Sequence, residues 1–460
     1  MDIKNLNIVL LCAGKSSRLK FNLPKVILPI NGKTLIERSL YNLNKLNPKK
    51  IIIVTGFKSS LVTNLVNSLE YKNVKFVLQK NQLGTGHAVK AAIGSLDKKS
   101  TVLILNGDTP FVDIQTIKKS LSFFYRNKSS LTIATSFPKN PKGYGRILRD
   151  NDNQILDIVE ERDCTNEQKL INEVNAGLYL VDSTQLTNHI KKIKKNKNLE
   201  YYLTDIVNIF ARNSLKVNSI PIQDERKFIN INTFYDYKNA HDIDKMFVYE
   251  KCIKNNIFLK DPNSFQKDFE VKIGKNVYIG PNVILRGSTE IKENVVIEGN
   301  VYINNSSIGK QSIIKPFTSI QESKIGSKAE IGPFSNLRPG NNIKNNVKVG
   351  NFVELKKTNI KNKSKVPHLS YVGDATIGNN VNIGAGTITC NYDGFAKYET
   401  IIEDNVFVGS DSMLIAPVKL GKNSTTGAGS VISSDLPPNT LGVSRVKEKH
   451  ISNWKRKKKK

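Results

Sequence analysis

The sequence predicts an α/β, Rossmann-like domain with a mostly parallel sheet, then a helical linker, then a parallel β-helix of hexapeptide repeats. Three observations predict it. Short apolar runs alternate with amphipathic stretches through the first half. An unbroken stretch without Gly or Pro follows, from 234 to 255. From about residue 270 to 432, an aliphatic residue followed by a small or polar one recurs at six-residue spacing, as in Ile273-Gly274 and Ile279-Gly280. A period of six is too long for strand alternation and does not fit a helix. It fits a coil in which each strand and turn forms one side.

In the first half, residues 8–11, 51–54, 74–78, 102–105 and 131–134 read as buried strands. Residues 33–46 and 85–93 read as helices between them. In such sheets, ligands bind at the carboxyl ends of the strands. The predicted domains are 1–234, a helical linker at 235–255, and a repeat domain at 256–460. Methionine and aromatic residues in the linker read as packing.

The phrase recurs at Ile291, Ile297, Ile308, Ile325, Ile331, Ile343, Val349, Ile360, Ile377, Ile383, Ile402, Val408 and Leu420. It is expected to fail twice, at 361–376 around His368 and at 388–400 around Asn391-Tyr392. Insertions in a solenoid leave as loops, and such loops often build the binding site.

The chain has 460 residues and a formal net charge of +30. Its lysines are scattered and not interleaved with aromatics, so no specific nucleic-acid partner is expected. The one charge run is the tail from Lys455 to Lys460, read as a solvated end. The four cysteines, Cys12, Cys164, Cys252 and Cys390, form no Cys-x-x-Cys pair. That argues against a disulfide framework or a structural zinc and for a reducing compartment. No secretory signal or membrane-length apolar stretch is evident, so a cytoplasmic location is expected.

Three strand ends carry candidate chemistry. After the first comes Leu11-Cys12-Ala13-Gly14-Lys15-Ser16-Ser17-Arg18, then Pro24-Lys25. It is neither a Walker A loop nor a Gly-x-Gly-x-x-Gly turn. A small-residue loop with two cations can still wrap a triphosphate. After the third comes Gln79, then Gly84-Thr85-Gly86-His87, where an amide can read a base edge. After the fourth comes Asn106-Gly107-Asp108, a carboxylate placed to ligate Mg²⁺. The first loop alone is moderately specific and a lone Gly-Asp is weak, and the three in order are strong.

With Gly145, Glu160, Asn175 and Asn232, these residues resemble the sugar-nucleotide pyrophosphorylases. Joined to the hexapeptide array, the whole chain resembles the bifunctional N-acetylglucosamine-1-phosphate uridylyltransferase/glucosamine-1-phosphate N-acetyltransferase family. The resemblance implies that Leu11, Cys12, Ala13, Gly14, Lys25, Gln79, Gly84 and Thr85 hold UTP, with Asn106 and Gly107 beside them. Arg18 and Lys25 act on the phosphates, and Asp108 and Asn232 hold Mg²⁺. Gly145, Glu160 and Asn175 hold the sugar phosphate. Cys12, Ser16-Ser17 and Asn106 depart from the family pattern, and all are small or polar changes.

The same resemblance makes His368 the base for acetyl transfer from acetyl-CoA to glucosamine 1-phosphate. A neutral imidazole suits that task, while a zinc reading lacks further histidines in the repeats. It places Arg338, Lys356, Tyr371, Asn382 and Asn391 on the sugar phosphate. Ala385, Asn391, Tyr392, Ser410, Ala428 and Arg445 fall on acetyl-CoA. Pro367 departs from the family pattern beside the base. The resemblance further implies left-handed coils, against the general right-handed preference. It also implies a homotrimer, and UDP-N-acetylglucosamine as a product for peptidoglycan and lipopolysaccharide precursors.

Overall fold

The computed structural model describes residues 5–15, 19, 22–197 and 199–456, which divide after Asp244 into two compact units. Arg18, Ser16, Ser17 and the last four lysines of the tail lie outside the described residues.

In the first unit, β1 is Leu6–Cys12, β2 Pro29–Ile30, β3 Lys33–Thr34, β4 Lys50–Thr55, β5 Val74–Leu78 and β6 Thr101–Asn106. Then come β7 at Leu131–Ser136, β8 at Arg146–Arg149, β9 at Ile155–Val159, β10 at Val174–Asp182 and β11 at Val217–Pro221. The helices are α1 Leu35–Asn44, α2 Ser59–Asn67, α3 Thr85–Ala92, α4 Ile114–Arg126, α5 Ser183–His189, α6 Asp205–Arg212 and α7 Phe234–Lys254. The main sheet runs β11-β7-β10-β6-β1-β4-β5, with the β8–β9 hairpin attached to β10. The pairs β1–β4, β1–β6, β4–β5 and β7–β11 are parallel, and β10 runs antiparallel between β6 and β7. Burial of β1 and β4 on both faces explains why they read as continuous apolar runs instead of alternating ones.

Local signals set the helix starts. Thr34 caps α1 in a reciprocal capping box with Glu37. At the start of α7, the Asp236 carboxylate accepts from the Asn232 and Thr233 amides at 3.0 and 2.8 Å. The Thr233 hydroxyl accepts from the Asp236 amide at 3.1 Å, so the turn that carries Asn232 is fixed from both sides. The expected linker is this helix. Asp244, near its middle, pairs with Arg38 at 2.6 Å, and Cys252, near its end, joins the core of the second unit.

The second unit is a β-helix of left-handed hexapeptide coils with three parallel sheets. Face A runs from Phe258–Leu259 to Leu441–Gly442, face B from Gln266–Lys267 to Val431–Ile432, and face C from Lys272–Ile273 to Val418–Leu420. The aliphatic residue of each repeat points inward. Ile331, Leu337 and Ile343 form one fully buried layer, and Val349, Leu355 and Ile360 form the next. Each such side chain contributes about 1.5–3 kcal/mol by leaving water.

Corners between faces take the left-handed conformation, which Asn tolerates better than most residues. Asn276, Asn294, Asn346, Asn380, Asn405 and Asn423 occupy one such corner column. Stacked amides bond along it, Asn380 to Asn405 at 3.2 Å and Asn405 to Asn423 at 3.1 Å. Part of the Asn-rich composition is therefore corner chemistry.

One expectation is corrected. The repeat does not break at His368. Lys365–His368, Tyr371–Gly373 and Ala375–Ile377 are strands of faces A, B and C, with Val366 and Val372 turned inward in ordinary register. Pro367 directly after the inward Val366 made a regular coil look like a loop. The second interruption is real. Ala375 pairs with Thr400 across 25 residues, where Asn359 pairs with Thr376 across 17. The excess leaves as a small hairpin closed by a Tyr392–Lys397 bridge.

Candidate active sites

The loops after β1, β5 and β6 meet at one edge of the first sheet. The Gly107 amide donates to the Leu11 carbonyl at 2.9 Å, which draws the ends of β6 and β1 together. A Cβ on Gly107 would sit 2.5 Å from Cys12 Sγ, so this approach requires glycine. Cys12 is buried, and burial together with the charge of Asp108 pushes its thiol well up. It packs as a neutral group. Ala13 is buried and Gly14 is exposed beside Lys25, whose Cε lies 4.0 Å from a Cβ built on that glycine.

Lys25 Nζ is ion-paired to Asp108 and donates to Asn232 Oδ1 at 3.0 Å. Residues from three distant stretches thus place a carboxylate and an amide oxygen around one cation. Such hard oxygen donors suit Mg²⁺, which takes few protein ligands and keeps waters and phosphates. Among the described residues, no group of three His, Cys, Asp or Glu could hold a metal.

Gln79 is 3% exposed, and its Nε2 donates to the Gly84 carbonyl at 3.0 Å. Gly84 has φ +96°, and a Cβ there would lie 2.5 Å from the Tyr201 carbonyl. Thr85 Oγ1 accepts from the Leu203 amide at 3.0 Å, so its hydroxyl serves the loop that closes this edge.

Across the same edge, the Asn175 amide donates to the Gly145 carbonyl at 2.9 Å, and Asn175 Nδ2 donates to the Tyr179 hydroxyl at 2.7 Å. Glu160 Oε1 accepts from Thr204 Oγ1 at 3.0 Å, and burial pushes its carboxyl up. A Cβ on Gly145 would lie 3.7 Å from Glu160 Oε2, so these three predicted residues do converge. The Asn106 amide lies against Gly177 and links the two halves of the site.

In the second unit, His368 is exposed at the corner between faces A and B. Its Nδ1 is 2.7 Å from Asn351 Oδ1, its partner in the preceding coil. Because that oxygen only accepts, Nδ1 carries the proton and Nε2 keeps its lone pair. Pro367 fits because Gly350 lies beneath it, and a Cβ on Gly350 would strike the Pro367 carbonyl.

Face B carries the other predicted groups. Arg338 bonds Glu354 at 3.1 Å, and Glu354 and Lys356 pair in register with Tyr371 and Gly373. Asn391 Nδ2 donates to Asp374 at 2.5 Å and lies 3.0 Å from a Cβ built on Gly373, which would also strike the Tyr371 hydroxyl. Lys397 of the hairpin lies beside Lys356, and that second cation holds its ammonium below the usual lysine range. Asn382 stands on face A in register with Lys365. Tyr392 is exposed, its hydroxyl donating to the Gly394 carbonyl at 2.6 Å.

The remaining predicted residues form a line across successive coils. The Asp411 amide donates to the Ala385 carbonyl at 2.6 Å, the Gly429 amide to the Ser410 carbonyl at 2.8 Å, and Arg445 Cδ lies 3.9 Å from a Cβ built on Gly429, next to Ala428. Sequence reasoning missed Asn351, Glu354, Asp374 and Lys397. Asn351 was findable, because it precedes His368 by 17 residues, the length of one coil.

Comparison with known proteins gives the family. Residues 8–163 match the MobA-like NTP transferase domain, and residues 270–305 and 399–434 match the bacterial transferase hexapeptide (six repeats). The chain is 40% identical to the bifunctional protein GlmU of Baumannia cicadellinicola, covering 100% of this chain and 98% of that relative. It is 39% identical to that of Geotalea uraniireducens, covering 99% and 100%. A solved UDP-glucose pyrophosphorylase complexed with UDP-glucose covers 53% of this chain and 98% of its own, at 19% identity and a TM-score of 0.43. The chain belongs to the GlmU family of bifunctional uridylyl- and acetyltransferases.

Proposed function

We propose that the second unit moves an acetyl group from acetyl-CoA to the amine of glucosamine 1-phosphate, and that the first unit joins the product to UMP from UTP. The observation that carries the reading is the pairing of two chemically distinct sites on one chain. One is the Lys25–Asp108–Asn232 cluster and the other is the Asn351–His368 pair.

In acetyl transfer, Nε2 of His368 takes a proton from the attacking amine. The new C–N bond forms as the thioester C–S bond breaks, and the imidazolium passes that proton to the sulfur, so that coenzyme A leaves as its thiol. Lys356, Lys397 and Arg338 suit the sugar phosphate by charge, while Tyr371 and Asn391 sit beside them. The Ala385–Ser410–Ala428–Arg445 line suits an extended acetyl-CoA, with Arg445 toward its nucleotide phosphates.

In uridylyl transfer, a sugar-phosphate oxygen attacks the α-phosphorus of UTP and pyrophosphate leaves. Asp108 and Asn232 would hold Mg²⁺, which when bound neutralises phosphate charge. Lys25 adds a second cation there, Gln79 and Gly84 face the base, and Gly145, Glu160 and Asn175 orient the sugar. Preorganised charge of this kind supplies most of the catalysis in phosphoryl-type transfers. Arg18 joins the phosphates in this reading.

A homotrimer is part of the proposal. Face C is polar outside, with Lys272, Glu290, Lys324, Asn342 and Asn359. The corner between faces A and B instead bears exposed Phe317, Phe334 and Phe352, stacked at 4.8 and 5.3 Å. It is the corner that holds Asn351 and His368. An exposed aromatic ladder beside an exposed base suits coverage by another copy. No helix among the described residues is long and apolar enough to cross a membrane, and we place the enzyme in the cytoplasm.

The test is a coupled assay with glucosamine 1-phosphate, acetyl-CoA, UTP and Mg²⁺, followed by omission of each. UDP-N-acetylglucosamine forms only from the complete mixture. UDP-glucosamine formed when acetyl-CoA is omitted would refute the order of the steps.

A further inference from the structure

We infer that His87 is a positioning residue for base selection, locking Gln79 so that only its carbonyl oxygen faces the nucleobase. The inference rests on the reading of Gln79 as the residue facing the base.

The geometry fixes each group in turn. The Gly84 carbonyl can only accept, so the Gln79 nitrogen must be the end that faces it, at 3.0 Å. That same nitrogen lies 3.0 Å from His87 Nδ1. Both amide protons are therefore consumed, one by Gly84 and one by His87. His87 must then accept at Nδ1 and carry its own proton on Nε2. No donor among the described residues faces Gln79 Oε1.

The supports of this arrangement are themselves pinned. The Tyr201 amide donates to the Leu83 carbonyl and its carbonyl accepts from the Gly86 amide, both at 2.8 Å. The Tyr201 ring stacks on His87 at 6.0 Å, and Lys90 Nζ lies 4.0 Å from the same ring. His87 can neither swing away from Gln79 nor leave the Tyr201 ring without breaking these contacts.

The consequence is selectivity. Uracil presents a donor at N3, which a bare carbonyl oxygen accepts. Cytosine presents a lone pair at N3, which that oxygen repels. A site built to bond one edge rejects the analogue that lacks it, because its buried polar group is left unpaired. Without the acceptor at His87, only the Gly84 carbonyl holds the amide, and turning it over to offer a donor to cytosine costs one hydrogen bond less.

The experiment compares kcat/KM for UTP and CTP in His87→Leu, His87→Asn and Gln79→Ala, using the full chain. Acetyl transfer by the same preparations reports intact protein. Asparagine can offer an acceptor near the Nδ1 position, and leucine cannot. We expect His87→Leu to lower the UTP preference roughly two- to tenfold, the range of one hydrogen bond, through the KM for UTP. His87→Asn restores it. Equal loss in both His87 variants would overturn the lock in favour of plain packing. Unchanged preference in His87→Leu, with a collapsed one in Gln79→Ala, would overturn the lock alone. Unchanged preference in Gln79→Ala would overturn the base-facing reading together with it.

Discussion

Asn351 is 17 residues from the base it serves, and removing it tests how the acetyl-transfer site works. Its Oδ1 lies 2.7 Å from His368 Nδ1, in register across adjacent coils. The bond holds the proton on Nδ1 and aims Nε2 outward. Without it, the imidazole divides between tautomers and rotates. A neutral hydrogen bond is worth about 0.5–1.5 kcal/mol, so Asn351→Ala should lower kcat roughly two- to twelvefold. That loss is well short of removing the base itself, which costs about a hundredfold or more. The assay is steady-state thiol release from acetyl-CoA with glucosamine 1-phosphate saturating. Uridylyl transfer in the same sample should be unchanged. Asn351→Asp should instead stabilise the imidazolium and move the acidic limb of the rate profile to higher pH. An Asn351→Ala enzyme with full kcat, or one as inactive as His368→Ala, would refute the reasoning.

Other predictions concern the first unit. Burial and the neighbouring charges of Asp157, Glu160 and Asp163 raise the Asp205 carboxyl from 3.8 to about 6. A carboxyl raised on folding gives stability that is full below about pH 4 and lost as pH rises through about 6. Asp205→Asn should therefore stabilise the fold at pH 7 but not at pH 4, by about 1–2 kcal/mol once solvent screening is allowed for, with a higher Tm at pH 7 alone. Calorimetry at the two pH values checks it, and an equal gain at both would contradict the cause given. Gly84→Ala forces a side chain onto φ +96° and into the Tyr201 carbonyl. The strain is of order 1–3 kcal/mol, and UTP kcat/KM should fall about tenfold or more, measured with acetyl transfer as control.

The fold was legible where residue type repeats with a fixed period. Aliphatic residues at six-residue spacing mark the solenoid because each must point inward at the same point of every coil. The same logic explains the misreading at 361–376. Val366 and Val372 keep the period, but Pro367 stands where the phrase has a glycine or a small or polar residue. The three nucleotide loops were legible because β1, β5 and β6 end in residues that apolar strands do not need. Contacts between distant segments were not. Nothing in the local sequence ties Gly84 to Tyr201, Asn351 to His368, or Lys397 to Lys356. Those pairings follow from topology and coil register. The place of Arg18 lies outside the described residues.

The most direct measurement takes both half-reactions on two variants of the full chain. Asp108→Ala should lose uridylyl transfer by about a hundredfold or more, since it removes a carboxylate from the phosphate site, and keep acetyl transfer. His368→Ala should do the reverse, by about a hundredfold or more. A variant that retains its own half-reaction near the normal rate, or loses both in intact protein, would contradict two independent sites on one chain.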